Sequence, residues 1–203
     1  RDSLYSFLKE GVSTFEIDLF VNNFLEKNGA KSVVKGFKNF PAYSCISVNH
    51  EIVHCIPNNY QLKNSDIVSV DIVASFDGYI ADSCWTYPIG DIDEEKKNLI
   101  KGTQEALESS LKIIKEGIHL SDISNSIEVT AKKYNLTVIK EFAGHGVGIN
   151  LHEDPVICNY GKKGKGPILK SGMIFAIEPI FSSGKGEVKY LSNNWNTETK
   201  DKR

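Results

Sequence analysis

Two pairs of segments repeat at almost the same offset, and this constrains the fold more than any single motif. KEGVSTFEI, starting at Lys9, resembles KEGIHLSDI, starting at Lys115, and LKNSDIVSVDI, starting at Leu62, resembles LKSGMIFAIEP, starting at Leu169. The offsets are 106 and 107 residues. A helix-opening segment and a strand segment therefore recur together, which chance similarity of one stretch does not produce. The expectation is two related α+β halves packed as one domain over residues 1–203. The second alignment sets Asp71 opposite Glu178, so each half carries an acid at the same place.

Local patterns fill in the halves. Ser13 and Glu16 form a capping box that opens a helix with the apolar face Ile17, Phe20, Val21 and Phe24, closed by Gly29. A long helix follows Asp93, with Leu99, Leu107, Leu111 and Ile114 as its apolar positions, and another runs from Ser121 to Tyr134 through Ile123, Ile127 and Ala131. SCISVNHEIVHCIP, DIVSVDIVAS, YIADSCWTYPIG, LTVIKEF, GMIFAIEPIF and GEVKYL read as strands, rich in β-branched and aromatic residues and bounded by Gly, Pro or Asn. The runs Ile67–Ala74 and Met173–Ile177 have the composition of central, buried strands.

Asp77-Gly78 is a two-residue hairpin turn. It pairs Phe76 with Tyr79 and Val73 with Asp82, leaving Asp71 diagonal to Asp82 on one face. Diagonal neighbours are ~7–8 Å apart at the backbone, within reach of one ion. Two buried acids without a cation would repel and share a proton, whereas a divalent metal favours both as carboxylates. Further donors are at hand. His145 lies in AGHGVG, whose glycines let the backbone approach a site closely, and His152 follows seven residues later in LHEDP. Carboxylates with histidines suit Mn, Fe, Co or Zn better than Ca or Mg. Such a site performs metal-assisted hydrolysis, with a bound water acidified towards neutrality.

The rest of the composition narrows the partners. Lysine plus arginine total 24 against 26 aspartate plus glutamate, a net charge of -2 that gives no reason to expect nucleic acid or an acidic membrane surface. No apolar run approaches the ~20 residues needed to span a bilayer, and RDSLYSFLKEG lacks the apolar core of a signal peptide. A cytoplasmic monomer is expected. Cys45, Cys55, Cys84 and Cys158 form no CxxC pair and read as buried thiols. PNNYQLKNSD and NYGKKGKGPILKSG read as solvated loops. The chain starts on Arg1 and its first helical pattern looks cut into, so ends are expected to be missing.

Taken together, Asp71, Asp82, AGHGVG, LHEDP, IEP at Glu178, VHCIP at His54 and NNWN at Trp195 resemble the type I methionine aminopeptidases over nearly the whole chain. The resemblance implies a pita-bread fold: α+β, with two pseudo-twofold related halves and a curved, mostly antiparallel sheet backed by helices. It implies removal of the initiator methionine from nascent polypeptides with a small second residue, by a metal-activated hydroxide. Asp71, Asp82, His145 and Glu178 match four of the five ligands of a two-metal site, with Asp82 bridging. Glu178 also matches the carboxylate that handles the proton of the attacking water, His152 the histidine at the scissile carbonyl, and His54 the histidine near the substrate amide. Phe37, Phe40, Cys45, Leu151 and Trp195 match positions lining the methionine pocket.

The chain departs from the family pattern at several places. Phe37 and Phe40 stand where tyrosine is frequent, Lys38 where bacterial members often carry histidine, and Cys55 where glycine usually follows the histidine, which sets a thiol beside the expected entrance. The family's fifth ligand, a glutamate, lies beyond a TKDR-like segment, and the sequence stops at TKDKR; Glu198 does not take its place. The expectation is at most one well-bound metal for the chain as written. An Xaa-Pro aminopeptidase or prolidase-type peptidase, and a non-catalytic binding module of the same fold, remain the competing readings.

Overall fold

The computed structural model describes residues 1–203 and divides them into two compact units, Arg1–Asp93 with Lys189–Lys202, and Glu94–Val188 with Arg203. In chain order the first unit supplies helices α1 (Asp2–Phe7) and α2 (Thr14–Lys27) and strands β1 (Lys31–Ser32), β2 (Cys45–Val48), β3 (Ile67–Phe76) and β4 (Tyr79–Pro88). The second supplies α3 (Glu94–Ile113), α4 (Leu120–Lys133), β5 (Thr137–Val138), β6 (Ala143–Gly146), β7 (Glu153–Cys158), β8 (Phe175–Ala176) and β9 (Phe181–Ser182). The chain then enters β10 (Val188–Tyr190) and β11 (Thr197–Thr199). The pairings β1–β3, β2–β3, β3–β4, β5–β9, β6–β7 and β6–β8 are all antiparallel. No helix is long and apolar enough to cross a membrane.

The repeat is built into the hydrogen bonds of each unit. Gly11 and Gly117 both take a left-handed φ, +87° and +92°, immediately before α2 and α4. The Gly11 N–H donates to Leu62 O (2.8 Å) and the Leu62 N–H to Val12 O (2.9 Å); the Gly117 N–H donates to Leu169 O (3.0 Å) and the Leu169 N–H to Ile118 O (2.8 Å). At the helix starts, Ser13 N donates to the Glu16 carboxylate and His119 N to the Asp122 carboxylate. Further on, Lys31 pairs with Ser75 and Ser32 with Ala74, as Thr137 pairs with Ser182 and Val138 with Phe181. The same register thus recurs at the offset read from the sequence.

The halves differ at one instructive place. β3 runs unbroken through Asp71 and Ile72, but its counterpart is split into β8 and β9, with Ile177–Ile180 outside the ladder. Pro179 stands where β3 has Ile72; it has no N–H to donate, so the ladder cannot continue through it. Glu178 is left on irregular backbone.

Several expectations about packing need correction. In the first core, Ile17, Val21 and Leu25 of α2 pack with Ile46, Val68 and Val70, while Phe24 is 47% exposed. Helix α2 does end as expected: Gly29 at φ +73° lets the Ala30 N–H reach Leu25 O and the Gly29 N–H reach Glu26 O. In the second core, Ile123, Ile127 and Ala131 of α4 are buried as the period requires. Of the expected apolar positions after Asp93, Leu99 and Ile114 do pack against this core and Leu111 is exposed, while the fully buried line of α3 is Gly102, Ala106 and Ser110, four residues apart. A Cβ on Gly102 would lie 2.6 Å from Leu136 and 2.9 Å from Tyr134, so the glycine is what lets the segment between α4 and β5 lie close against α3.

The Met173–Ile177 run is not a central buried strand. β8 covers two of its residues at the edge of the order β7-β6-β8, and Met173 and Ile174 are exposed. The expected long strand around Cys45 shrinks to β2, leaving His54 in a loop. The four cysteines are free thiols, but only Cys45 and Cys55 are buried; Cys84 is exposed because it lies on β4, which has β3 on one side alone.

Candidate active site

In the first unit the hairpin forms in the expected register. All ten residues of β3 pair with β4, Phe76 with Tyr79, Val73 with Asp82 and Asp71 with Cys84, with no bulge between them. Asp71 and Asp82 therefore share a face as diagonal neighbours, both half-buried. On the other side of β3, Cys45 of β2 is directly opposite Asp71. Burial, and then the Asp71 charge, push the Cys45 thiol well above its ordinary range, so it stays neutral.

Two pocket candidates of this unit meet edge-on, with His54 beside them. The Phe40 ring meets the Trp195 ring with centroids 4.9 Å apart at 79°, and the exposed His54 ring stands 6.5 Å from Trp195. His54 is held at φ +60°, a left-handed conformation that a non-glycine residue keeps only where its surroundings enforce it. The surroundings are visible in the pairing of residues 52–56 with 193–199. Asn196 Oδ1 accepts from Ile56 N (2.9 Å) and Asn193 Nδ2 (2.8 Å), and Thr197 O accepts from Ile52 N (2.9 Å). His54 and Trp195 are thus presented by two loops laced together. Phe37 is half-buried, with the Lys38 ammonium 5.3 Å from its ring centre.

Cys55 does not stand at an entrance. It is fully buried, with its thiol near Val53 O and Thr197 O, and desolvation pushes it up to about 11. Neighbouring Glu198 is 5% exposed and occupied by ion pairs with Lys189 (2.9 Å) and Lys202, with the His50 Nε2 3.5 Å away. Its bonds to Lys202 and then Lys189 hold the carboxyl down at about 2.

In the second unit, β6 brings His145 between two strands, paired with Val156 of β7 and Ala176 of β8. The register shifts between His145 and Gly146, a bulge that turns the imidazole out of the regular pleat. His145 is 8% exposed; its Nδ1–H donates to Gly146 O at 2.8 Å, and its Nε2 lies 3.1 Å from Glu178 Oε1. The His152 ring stands 4.4 Å from that of His145, exposed, and Leu151 beside it is buried. The turn carrying both is shaped by Glu153, whose carboxylate accepts from Ile149 N (3.0 Å) and Asn150 N (2.8 Å).

The donor chemistry of this pair fits a divalent cation. A backbone carbonyl can only accept, so the Gly146 contact fixes a hydrogen on Nδ1 and leaves Nε2 facing the Glu178 carboxylate. A ring nitrogen and a carboxylate oxygen 3.1 Å apart call for a positive charge between or upon them.

Sequence reasoning missed the residues that hold these groups. Asn159, fully buried at the end of β7, donates through Nδ2 to Glu178 O at 2.7 Å. Asn196 and Thr197 are likewise buried and tie the Trp195 loop. An asparagine closing the apolar strand EDPVIC was the available signal for the first.

Residues 1–195 match the metallopeptidase family M24. The chain is 44% identical over 201 residues to methionine aminopeptidase 1 of Bacillus subtilis, covering 99% of this chain and 81% of that protein. It is 38% identical to the methionine aminopeptidase of Clostridium perfringens, over 96% of this chain and 78% of that one. The crystal structure of methionine aminopeptidase from Rickettsia prowazekii superposes with a TM-score of 0.96 at 34% identity, over 99% of this chain and 82% of that one. The likeness carries the pita-bread fold that the resemblance implied, and the chain belongs to metallopeptidase family M24, within its methionine aminopeptidase branch.

Proposed function

We propose that this protein removes the N-terminal methionine from nascent polypeptides whose second residue is small. The observation that carries the reading is the His145–Glu178 pair at 3.1 Å beside the His152 ring, in a chain so similar to methionine aminopeptidases. Asp71, Asp82, His145 and Glu178 are the residues that would hold the metal, and this donor set favours Mn, Fe, Co or Zn. When bound, a divalent ion supplies Lewis acidity and a water acidified towards neutral pH.

The chain's own groups do the rest. Glu178 takes the proton of the attacking water on a carboxylate oxygen and returns it to the leaving amine. His152 donates a hydrogen bond to the scissile carbonyl oxygen as charge develops there, and His54 bonds the substrate amide. Phe37, Phe40, Cys45, Leu151 and Trp195 are proposed to receive the methionine side chain, an unbranched thioether that packs well against aromatic edges. The Phe40–Trp195 edge contact and the laced loops under Trp195 support a stiff wall of this kind.

The test is free methionine released from Met-Ala-Ser by the full-length protein after chelation and reloading with Mn2+ or Co2+. Release that requires the metal and falls sharply on Met-Lys-Ser supports the reading. Metal binding without release from either peptide would refute it in favour of a non-catalytic binding module, and release from Xaa-Pro peptides alone in favour of a prolidase-type enzyme.

A further inference from the structure

We infer that Asn159 is a positioning residue for Glu178, its side-chain N–H standing in for the partner-strand N–H that the Glu178 carbonyl lacks where the ladder breaks before Pro179. This rests on the proposed role of Glu178 and names what sets its aim. Elsewhere a strand residue is located by backbone pairing on both flanks, as Asp71 is between β2 and β4. Glu178 has no such frame, since β8 stops at Ala176 and β9 begins at Phe181.

Two contacts replace it. The Asn159 Nδ2 donates to Glu178 O at 2.7 Å, reaching in from the strand that pairs with the histidine-bearing β6. From the other side, Gly144 admits the segment: a Cβ there would lie 2.3 Å from Ala176 O and 3.3 Å from Glu178 N. The main chain of Glu178 is therefore clamped relative to residues 144 and 159, both tied to the element that carries His145. The carboxylate meets His145 Nε2 as a consequence.

The asparagine is a poor choice for packing alone. It is wholly buried, and its Oδ1 is a buried acceptor with no hydrogen-bond partner. Burying that oxygen works against folding, so an apolar side chain of similar size would suit a merely structural position better. The single strong contact it does make is to the backbone of Glu178. Residues that orient a metal ligand without touching the metal typically change affinity or activity 10–100-fold when removed.

The test compares Asn159→Leu and Asn159→Asp with the parent protein. The first keeps the volume without a donor; the second keeps the shape but sets an acceptor against the Glu178 carbonyl. Affinity for Mn2+ is read by calorimetry on metal-stripped protein, and kcat and KM from methionine release. The expected result is Mn2+ affinity and kcat each lower by about tenfold or more in both variants, with KM within about twofold and the circular dichroism spectrum unchanged. Affinity and kcat within twofold of the parent in a folded Asn159→Leu or Asn159→Asp would overturn the inference. So would losses that merely track the unfolded fraction. If the parent protein binds Mn2+ but releases no methionine, the proposed function fails, while the affinity arm still decides whether Asn159 sets Glu178.

Discussion

Replacing Gly144 by alanine tests how closely the backbone carrying His145 approaches the Glu178 segment. The added methyl would sit 2.3 Å from Ala176 O, about 1 Å inside ordinary contact at 3.4 Å, and the obstacle is main chain that cannot rotate away. Either β6 or β8 must retreat by most of that distance, stretching a pairing only two residues long, His145 with Ala176 and Gly146 with Phe175. Overpacking of this sort costs ~1–3 kcal/mol, and weakening one or two ladder bonds adds about 0.5–1.5 kcal/mol each, so a total of about 2–4 kcal/mol is expected. For a chain of this size that lowers the thermal midpoint by roughly 5–15 °C. Because Glu178 N lies 3.3 Å from the same methyl, the shift passes to the carboxylate, and a displacement near 1 Å can cost ~100-fold in rate. Differential scanning calorimetry and methionine release on Gly144→Ala measure both. A midpoint within 2 °C of the parent together with undiminished kcat would refute the close-approach argument, since no rearrangement of a flexible side chain could absorb the contact.

Three further outcomes follow from the same contacts. Glu198 titrates at about 2 instead of 4.5, so its ion pairs stabilise the fold fully above pH 4.5 and lose that contribution as pH falls through about 2. Urea midpoints of Glu198→Gln should therefore fall less steeply than the parent's between those pH values, and parallel curves would sink the assignment. Asp18 is 3% exposed and accepts from Tyr43 N (3.0 Å), Ser44 N (2.7 Å) and Ser44 Oγ (2.7 Å); Asp18→Ala strands those donors and should cost about 3 kcal/mol or more in urea unfolding, whereas a loss under ~1 kcal/mol would show that the loop re-forms without it. Phe40→Leu shortens the wall facing Trp195 and should raise KM for Met-Ala-Ser severalfold with kcat nearly unchanged; an unaltered KM in folded protein would make Phe40 plain core.

The parts of this protein legible in the sequence are those governed by chain neighbours or by a residue's chemical type. Asp77-Gly78 sets the hairpin register and with it the shared face of Asp71 and Asp82, because a tight turn leaves only one pairing. Ser13 with Glu16, Gly29 and the α4 period are likewise local rules, and the repeat at 106 and 107 residues foretold two related halves, which the structure builds with paired glycine entries and matched strand registers. The donor residue types of the site were readable too, since carboxylates and histidines in apolar or glycine-rich runs need a reason to be there.

What only tertiary structure decided depends on atoms far apart in sequence. Nothing local says that α3 turns Gly102 inward, because the choice is made by Tyr134 and Leu136, which leave no space for a side chain there. β4's edge position, and so the exposure of Cys84, follows from which strands find partners and which do not. The loops that present His54 and Trp195 are fixed to each other across more than a hundred residues, by Asn196 and Thr197. Likewise, the aim of Glu178 comes from Asn159 and Gly144, residues whose chemical types announce no catalytic role. Motifs and the family resemblance name the candidate reacting groups; their mutual distances are set by buried backbone contacts and single polar side chains, whose energies exist only once the chain has closed around them.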